Sequence, residues 1–234
     1  MNTGKFHDCT AVLFDYGGTL DSDGQHWLTR FFTLYDNAGF SIPRTDITRA
    51  FYYAVDTCYA DLHVATLGLR SLIDHHVHLQ FRALGIKDKQ KEKQLAETFH
   101  SDCQTFFRDR LRVLQRMKTA FRLGIVSNFY GNLATVCREA QLSEFFEVII
   151  DSNRVGFRKP DPRIFLLALS LLGLPGRQVI FVGDSYERDM IPAMKAQMRT
   201  IWLNKPDREP GQGPQETWVD ASISRLSDLE ELLQ

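Results

Sequence analysis

Apolar and polar positions change their rhythm twice along this chain. Near the start, Ala11-Val12-Leu13-Phe14 is an unbroken apolar run with strand composition, and it stops at Asp15. Gly17, Gly18 and Thr19 follow at once. From about Gln25 to Leu114 the pattern turns helical. Trp27, Leu28, Phe31, Phe32 and Tyr35 recur at helical spacing, and Asn37-Ala38-Gly39 ends that helix. Thr45-Asp46 are placed to cap a second helix through Phe51, Val55 and Leu62. A third is expected from about Leu69 to Leu84, stopped at Gly85. A fourth opens near Asp88 with the polar run KDKQKEKQ and then buries Leu95, Phe99 and Phe106.

From Phe121 the texture changes again. FRLGIVSN, FEVIIDS, QVIFVGDS and RTIWLN read as strands. Helical segments separate them, from Gly131 to Gln141, from Pro162 to Leu172 and from Asp189 to Ala196. KPDREPGQGP, beginning at Lys205, reads as a loop, and VDASISRLSDLEELL offers a last short strand and a terminal helix. Strands alternating with helices imply a parallel sheet covered on both faces. The expected fold is α/β: a doubly wound, Rossmann-like parallel-sheet domain of residues 1–21 and 115–234, interrupted by a four-helix cap of residues 22–114.

The whole chain narrows the function classes. Its 234 residues suffice for a proper core, and 44% hydrophobic with 24% charged residues is ordinary globular composition. A net charge of -1 gives no bulk electrostatic case for nucleic acid or an anionic membrane. Cys9, Cys58, Cys103 and Cys137 are scattered, without C-x-x-C spacing, so a zinc knuckle or redox motif is not expected. A cytoplasmic monomer without a signal peptide is the expectation.

Four segments stand at or just beyond strand ends: Asp15, Ser127-Asn128, Arg158-Lys159-Pro160, and Gly183-Asp184-Ser185 with Asp189. In a doubly wound sheet such ends converge on one crevice. Together they suit phosphoryl transfer. Asp15 would attack phosphorus in line. Ser127 and backbone amides would hold the phosphoryl oxygens, and Lys159 would neutralise developing charge. Asp15, Asp184 and a backbone carbonyl would coordinate Mg²⁺, with Asp189 orienting a metal-bound water.

FDYGGTLD, IVSNF, GFRKPDPRIF and VGDSYERDMIPAMKA, in that order, resemble the four motifs of the haloacid dehalogenase superfamily. The insertion after the first motif resembles its helical cap. The resemblance implies Asp15 as nucleophile, the main-chain carbonyl of Gly17 as a metal ligand, and Thr19 as a buttress of the turn. It implies Ser127 and Lys159 as phosphate holders, with Asn128 beside them in the substrate site. Asp184 becomes a metal ligand and Asp189 its outer support. The implied activity is a Mg²⁺-dependent phosphatase of a small phosphorylated metabolite.

One position departs from that pattern. Phosphatases of the superfamily carry a second aspartate two residues after the nucleophile, as acid/base; here it is Gly17. Losing a positioned acid/base typically costs ~10²–10⁴-fold, which leaves room for esters with good leaving groups. Asp21, Asp23 and His26 are candidates to substitute. The alternatives are phosphonatase or dehalogenase chemistry, or a phospho-ligand binder with little turnover. A metal-suited Asp184/Asp189 pair weakens the dehalogenase reading. The phosphonatase reading needs a cap lysine, and Lys87, Lys89, Lys91 and Lys93 lie in a run that reads as a solvated helix start.

Other residues carry two readings each. His75, His76 and His78 do not share one helix face, so zinc is disfavoured. Tyr52, Tyr53, Tyr59 and His63 either read substrate from the cap or pack its helices, with packing preferred. Phe129-Tyr130 and Arg158 either line the pocket or serve structure and solvent. Gly24 is a plausible hinge for cap closure, with linkers expected near residues 21–25 and 108–114.

Overall fold

The computed structural model describes residues 3–204 and 218–233. The loop expected from Lys205 to Pro214 lies outside the described residues. The strands are β1 (Ala11–Phe14), β2 (Arg122–Ser127), β3 (Phe146–Asp151), β4 (Val179–Gly183), β5 (Arg199–Leu203) and β6 (Ala221–Ile223). They form one parallel sheet in the order β3-β2-β1-β4-β5-β6. The chain runs outward from β1 through β2 to β3, then resumes on the other side of β1 with β4. Ala11 pairs with Arg122 on one flank and Val179 on the other. The switch point therefore falls between β1 and β4, where such sheets open a ligand crevice.

Every residue of β1 is buried, as a central parallel strand requires. Its side chains alternate between faces. Val12 and Phe14 join one apolar cluster, while Ala11 and Leu13 join the other. The second cluster lies under α7 (Arg163–Leu172) and α8 (Ile191–Lys195). The first continues from the sheet into the helices inserted between β1 and β2: α1 (Trp27–Asn37), α2 (Arg44–Ala60), α3 (Leu69–Ala83) and α4 (Lys89–Met117). The other α-helices among the described residues are α5 (Leu133–Glu139), α6 (Ser152–Val155) and α9 (Leu229–Leu232). No helix among the described residues is long and apolar enough to cross a membrane.

Three local expectations change. Thr45-Asp46 do not cap α2. Pro43 takes that position without a side-chain hydrogen bond, and its fixed φ suits a helix entry. Leu62 lies beyond the end of α2 and is 85% exposed. Residues 108–114 are no linker but part of the uninterrupted α4, 29 residues long. Arg110, buried in that helix, donates to Asp23 Oδ1 at 2.6 Å and to the Ser22 carbonyl at 3.0 Å. The helix that returns the chain to the sheet is thus tied to the segment by which the chain leaves it.

Hydrogen bonds also tie the inserted helices to the sheet side. Asn153 Nδ2 donates to the Tyr59 carbonyl, and Asn132 Nδ2 to the Leu67 carbonyl, each at 2.8 Å. The Leu69 N–H donates to Glu139 Oε2 at 3.0 Å.

Candidate active site

Asp15 follows the last residue of β1, and Tyr16–Leu20 winds immediately beyond it. Three donors converge on one carboxylate oxygen. The Tyr16 N–H and the Ser127 hydroxyl each reach Asp15 Oδ1 at 2.7 Å, and Lys159 Nζ lies 2.8 Å from it. Oδ2 has no protein donor among the described residues. The carboxylate is therefore fixed in direction, with one oxygen left for a ligand.

Lys159 is buried and also reaches Asp189 Oδ1 at 2.6 Å. Asn128 holds the segment that carries it, accepting from the Lys159 N–H at 2.7 Å and donating to the Lys159 carbonyl at 2.9 Å. Burial alone would weaken the hold of Lys159 on its proton. Asp15 and Asp189 outweigh that cost, so its pKa is raised.

Asp184 stands just past β4, beside Asp15 across the switch point. Carboxylate oxygens of Asp15, Asp184 and Asp189 lie within 4.8 Å of one another. Asp189 is occupied on both oxygens, by Lys159 and by the Ser185 N–H at 3.0 Å. The Asp184 carboxylate has no donor among the described residues. Burial first, then Asp189 and Asp15, push its pKa well up. Three carboxylates share one ammonium, and the uncompensated charge falls on Asp184. Burial also raises Asp189, against the pull of Lys159. An unpartnered buried carboxylate between two others fits a hard divalent cation. Gly18 keeps that space open. Its φ is +86°, and a Cβ there would fall 2.4 Å from Asp184 Oδ2. Thr19 is buried under the turn, with its hydroxyl unpartnered.

The cavity that opens onto Asp15 and Lys159 is also lined by Gly17, His26, Ser127 and Asn128. Phe129, Tyr130 and Arg158 wall it from the sheet side. Tyr52 lines it from α2, while Tyr53 and His63 do not, and Tyr59 instead points its hydroxyl at Ser152 Oγ, 3.4 Å away. Trp27, Phe51, Val55 and Arg188 complete the walls, and none of these was assigned there from the sequence. Phe51, Tyr52 and Val55 at i, i+1 and i+4 were readable as one face of α2. The side to which that face turns was not.

Asp21 and Asp23 point away from the cavity's chemistry. Asp21 Oδ1 accepts the Gly18 N–H at 2.7 Å, while its Oδ2 accepts the Trp27 indole and faces Arg30 at 3.3 Å. Asp23 pairs with Arg110 and accepts the Leu226 N–H at 3.0 Å. His76 is buried, stacked on Phe31, and His78 pairs with Glu92. The three histidines form no metal cluster among the described residues.

Residues 9–197 match the haloacid dehalogenase-like hydrolase family, and the chain belongs to it. Among relatives, pyrimidine 5'-nucleotidase YjjG of Escherichia coli (strain K12) is 35% identical over 123 residues, 52% of this chain and 53% of that protein. The chain thus spans about half the length of that relative. Glyceraldehyde 3-phosphate phosphatase of Pyrococcus abyssi is 25% identical over 187 residues, covering 76% of this chain and 78% of that one. A solved dehalogenase structure superposes with a TM-score of 0.65 at 19% identity, over 97% of this chain and 98% of the other. At that identity the likeness shows the fold.

Proposed function

We propose that the protein is a magnesium-dependent phosphatase of a small phosphorylated molecule, working as a monomer through an aspartyl-phosphate at Asp15. The observation that carries this reading is the Asp15 carboxylate. It is pinned through Oδ1 by three donors and lies within 4.8 Å of Asp184 and Asp189. An Asp15 oxygen attacks phosphorus, and the leaving oxygen departs on the opposite side. Ser127 and Lys159 are placed to meet the phosphoryl oxygens as charge shifts onto them. Asp15, Asp184 and the Gly17 carbonyl would hold the cation, which would offset phosphate charge. The names of the nucleotidase and phosphatase relatives agree with this class of substrate.

Phosphonatase chemistry has no support in the cavity, since among the described residues no cap lysine lines it. Lys89 and Lys93 pair with Glu92 and Glu97, and Lys91 sits over the Phe40 ring. The test is p-nitrophenyl phosphate turnover with Mg²⁺ and with chelator, against Asp15→Asn. Turnover that depends on both Mg²⁺ and Asp15 is expected. A rate equal to the Asp15→Asn control would sink the reading.

A further inference from the structure

Among the described residues that line this cavity, Asp15 is the one carboxylate, so no second carboxylic acid stands ready to protonate a leaving group. Asp21 is spent on Gly18, Trp27 and Arg30, and Asp23 on Arg110 and Leu226. His26 remains, lining the cavity together with Asp15 and Gly17. Its Nδ1 accepts the Leu28 N–H at 3.2 Å and so caps α1. In the neutral ring the proton then sits on Nε2, which has no protein partner among the described residues. Edge-to-face contact with Phe51, centroids 5.9 Å apart, holds the ring. Burial first, then Arg188, push its pKa down to about 4 against the pull of Asp15. Near pH 7 the ring is neutral. It can donate a hydrogen bond, but it has no proton to release and no free lone pair to accept one.

The walls beside it are aromatic. Trp27, Phe51 and Tyr52 face in from the cap, and Phe129 and Tyr130 from the sheet side. Such walls suit a planar apolar group. A phenol also needs little help to leave. Its pKa is about 10, against about 16 for water, so phenolate departs without a proton.

Resting on the phosphatase reading, we propose that His26 contacts the leaving oxygen through Nε2–H and that the site is selective for phosphate monoesters of phenols. In the first step a bond forms between an Asp15 oxygen and phosphorus. The bond from phosphorus to the aryl oxygen breaks, and its electron pair leaves as phenolate, hydrogen-bonded to His26. The phenolate takes its proton from solvent. Water then attacks the phosphoryl group on Asp15. The Asp15 carboxylate is released, and both protons of that water leave with phosphate.

The experiment compares substituted phenyl phosphates with a short alkyl phosphate, in Mg²⁺, for the wild type, Asp15→Asn, His26→Asn and His26→Gln. Wild-type kcat/KM, which reports the step that expels the leaving group, is expected to fall steeply as the leaving-group pKa rises, with the alkyl ester about 10²-fold or more below phenyl phosphate. Asn keeps an acceptor for the Leu28 N–H but does not reach the Nε2 position, whereas Gln places an amide donor near it. His26→Asn should therefore keep its Tm and lose roughly 10²-fold in kcat/KM on phenyl phosphate. His26→Gln should keep more of the rate, with a lower Tm. An unchanged kcat/KM and leaving-group dependence in His26→Asn would overturn the role of His26. Equal Asp15-dependent kcat/KM for alkyl and aryl esters would overturn the substrate class and leave the phosphatase reading standing. Absence of Asp15-dependent turnover on every ester would remove both.

Discussion

Lys159 Nζ lies 2.6 Å from Asp189 Oδ1, and both side chains are buried. This pair positions the ammonium that also touches Asp15. Lys159→Met would leave three buried carboxylates facing each other without a cation. Removing one partner of a buried pair typically costs about 3–5 kcal/mol. Thermal melts in chelator should show that loss, and Mg²⁺ should recover part of it. A metal-free Tm equal to wild type would contradict the charge arrangement described here.

Asp184 makes the opposite prediction. Its carboxylate is buried without a donor, so the metal-free fold carries it at a cost. Asp184→Asn should melt higher than wild type in chelator, because the charge is gone. It should also lose the metal response. Wild type should gain about 2.7 kcal/mol at Mg²⁺ a hundredfold above its Kd. Melts of both proteins across a Mg²⁺ titration check the two signs together.

Asp15, Lys159, Asp184 and Asp189 were legible because each sits at or just beyond a short apolar run or within a compact motif. The alternation of strands and helices placed those ends on one side of a sheet. What the sequence hid is set by contacts between distant positions. Three polar residues after the turn looked equivalent, yet Arg30 and the Trp27 indole take Asp21, Arg110 takes Asp23, and only His26 lines the cavity. The length of α4 was hidden for a similar reason. Its opening near Asp88 was readable, but its run through residues 108–114 was not, because Arg110 there is held by the distant Ser22 and Asp23.

The Asp21–Arg30 pair is a second buried ion pair, away from the reaction. Asp21 joins the Gly18 N–H, the Trp27 indole and Arg30, while Arg30 also donates to the Phe99 carbonyl at 3.3 Å. Asp21→Ala strands a buried guanidinium and frees the indole. A loss of about 3–5 kcal/mol is expected. Chemical denaturation measures it, and a change below 1 kcal/mol would show that the pair is dispensable.

Acid should weaken the cap through His76. Its ring is buried against Phe31, Phe51 and Trp27, and burial, with His75, lowers its pKa from 6.5 to about 3. The unfolded chain takes up this proton below pH 6.5 while the fold does not, so stability present above pH 6.5 is lost as pH falls. Between pH 6.5 and 4.5 the loss is roughly 2 kcal/mol. His26, lowered to about 4, acts in the same direction. His76→Phe should flatten the acid limb of a denaturation series by about the His76 share. An identical pH profile would place the acid sensitivity elsewhere.

Gly17 offers the sharpest change of activity. Its φ of −72° and ψ of 121° suit any residue. A Cβ there would meet only the Trp27 indole, with Nε1 3.7 Å away. Gly17→Asp should therefore fold. The new carboxyl would sit near an indole N–H already given to Asp21, so it would gain little from that donor. A neighbouring carboxylate and partial burial both favour its protonated form, which is what a general acid needs. An aliphatic leaving oxygen depends on that proton far more than a phenolic one. Turnover of a short alkyl phosphate should rise by ~10²–10⁴-fold, and that of p-nitrophenyl phosphate by much less. A uniform rise on both esters would point to faster hydrolysis of the shared aspartyl-phosphate, or to tighter metal or phosphate binding, rather than to proton supply for the leaving group. No rise on either would show that proton supply at this position does not limit the reaction.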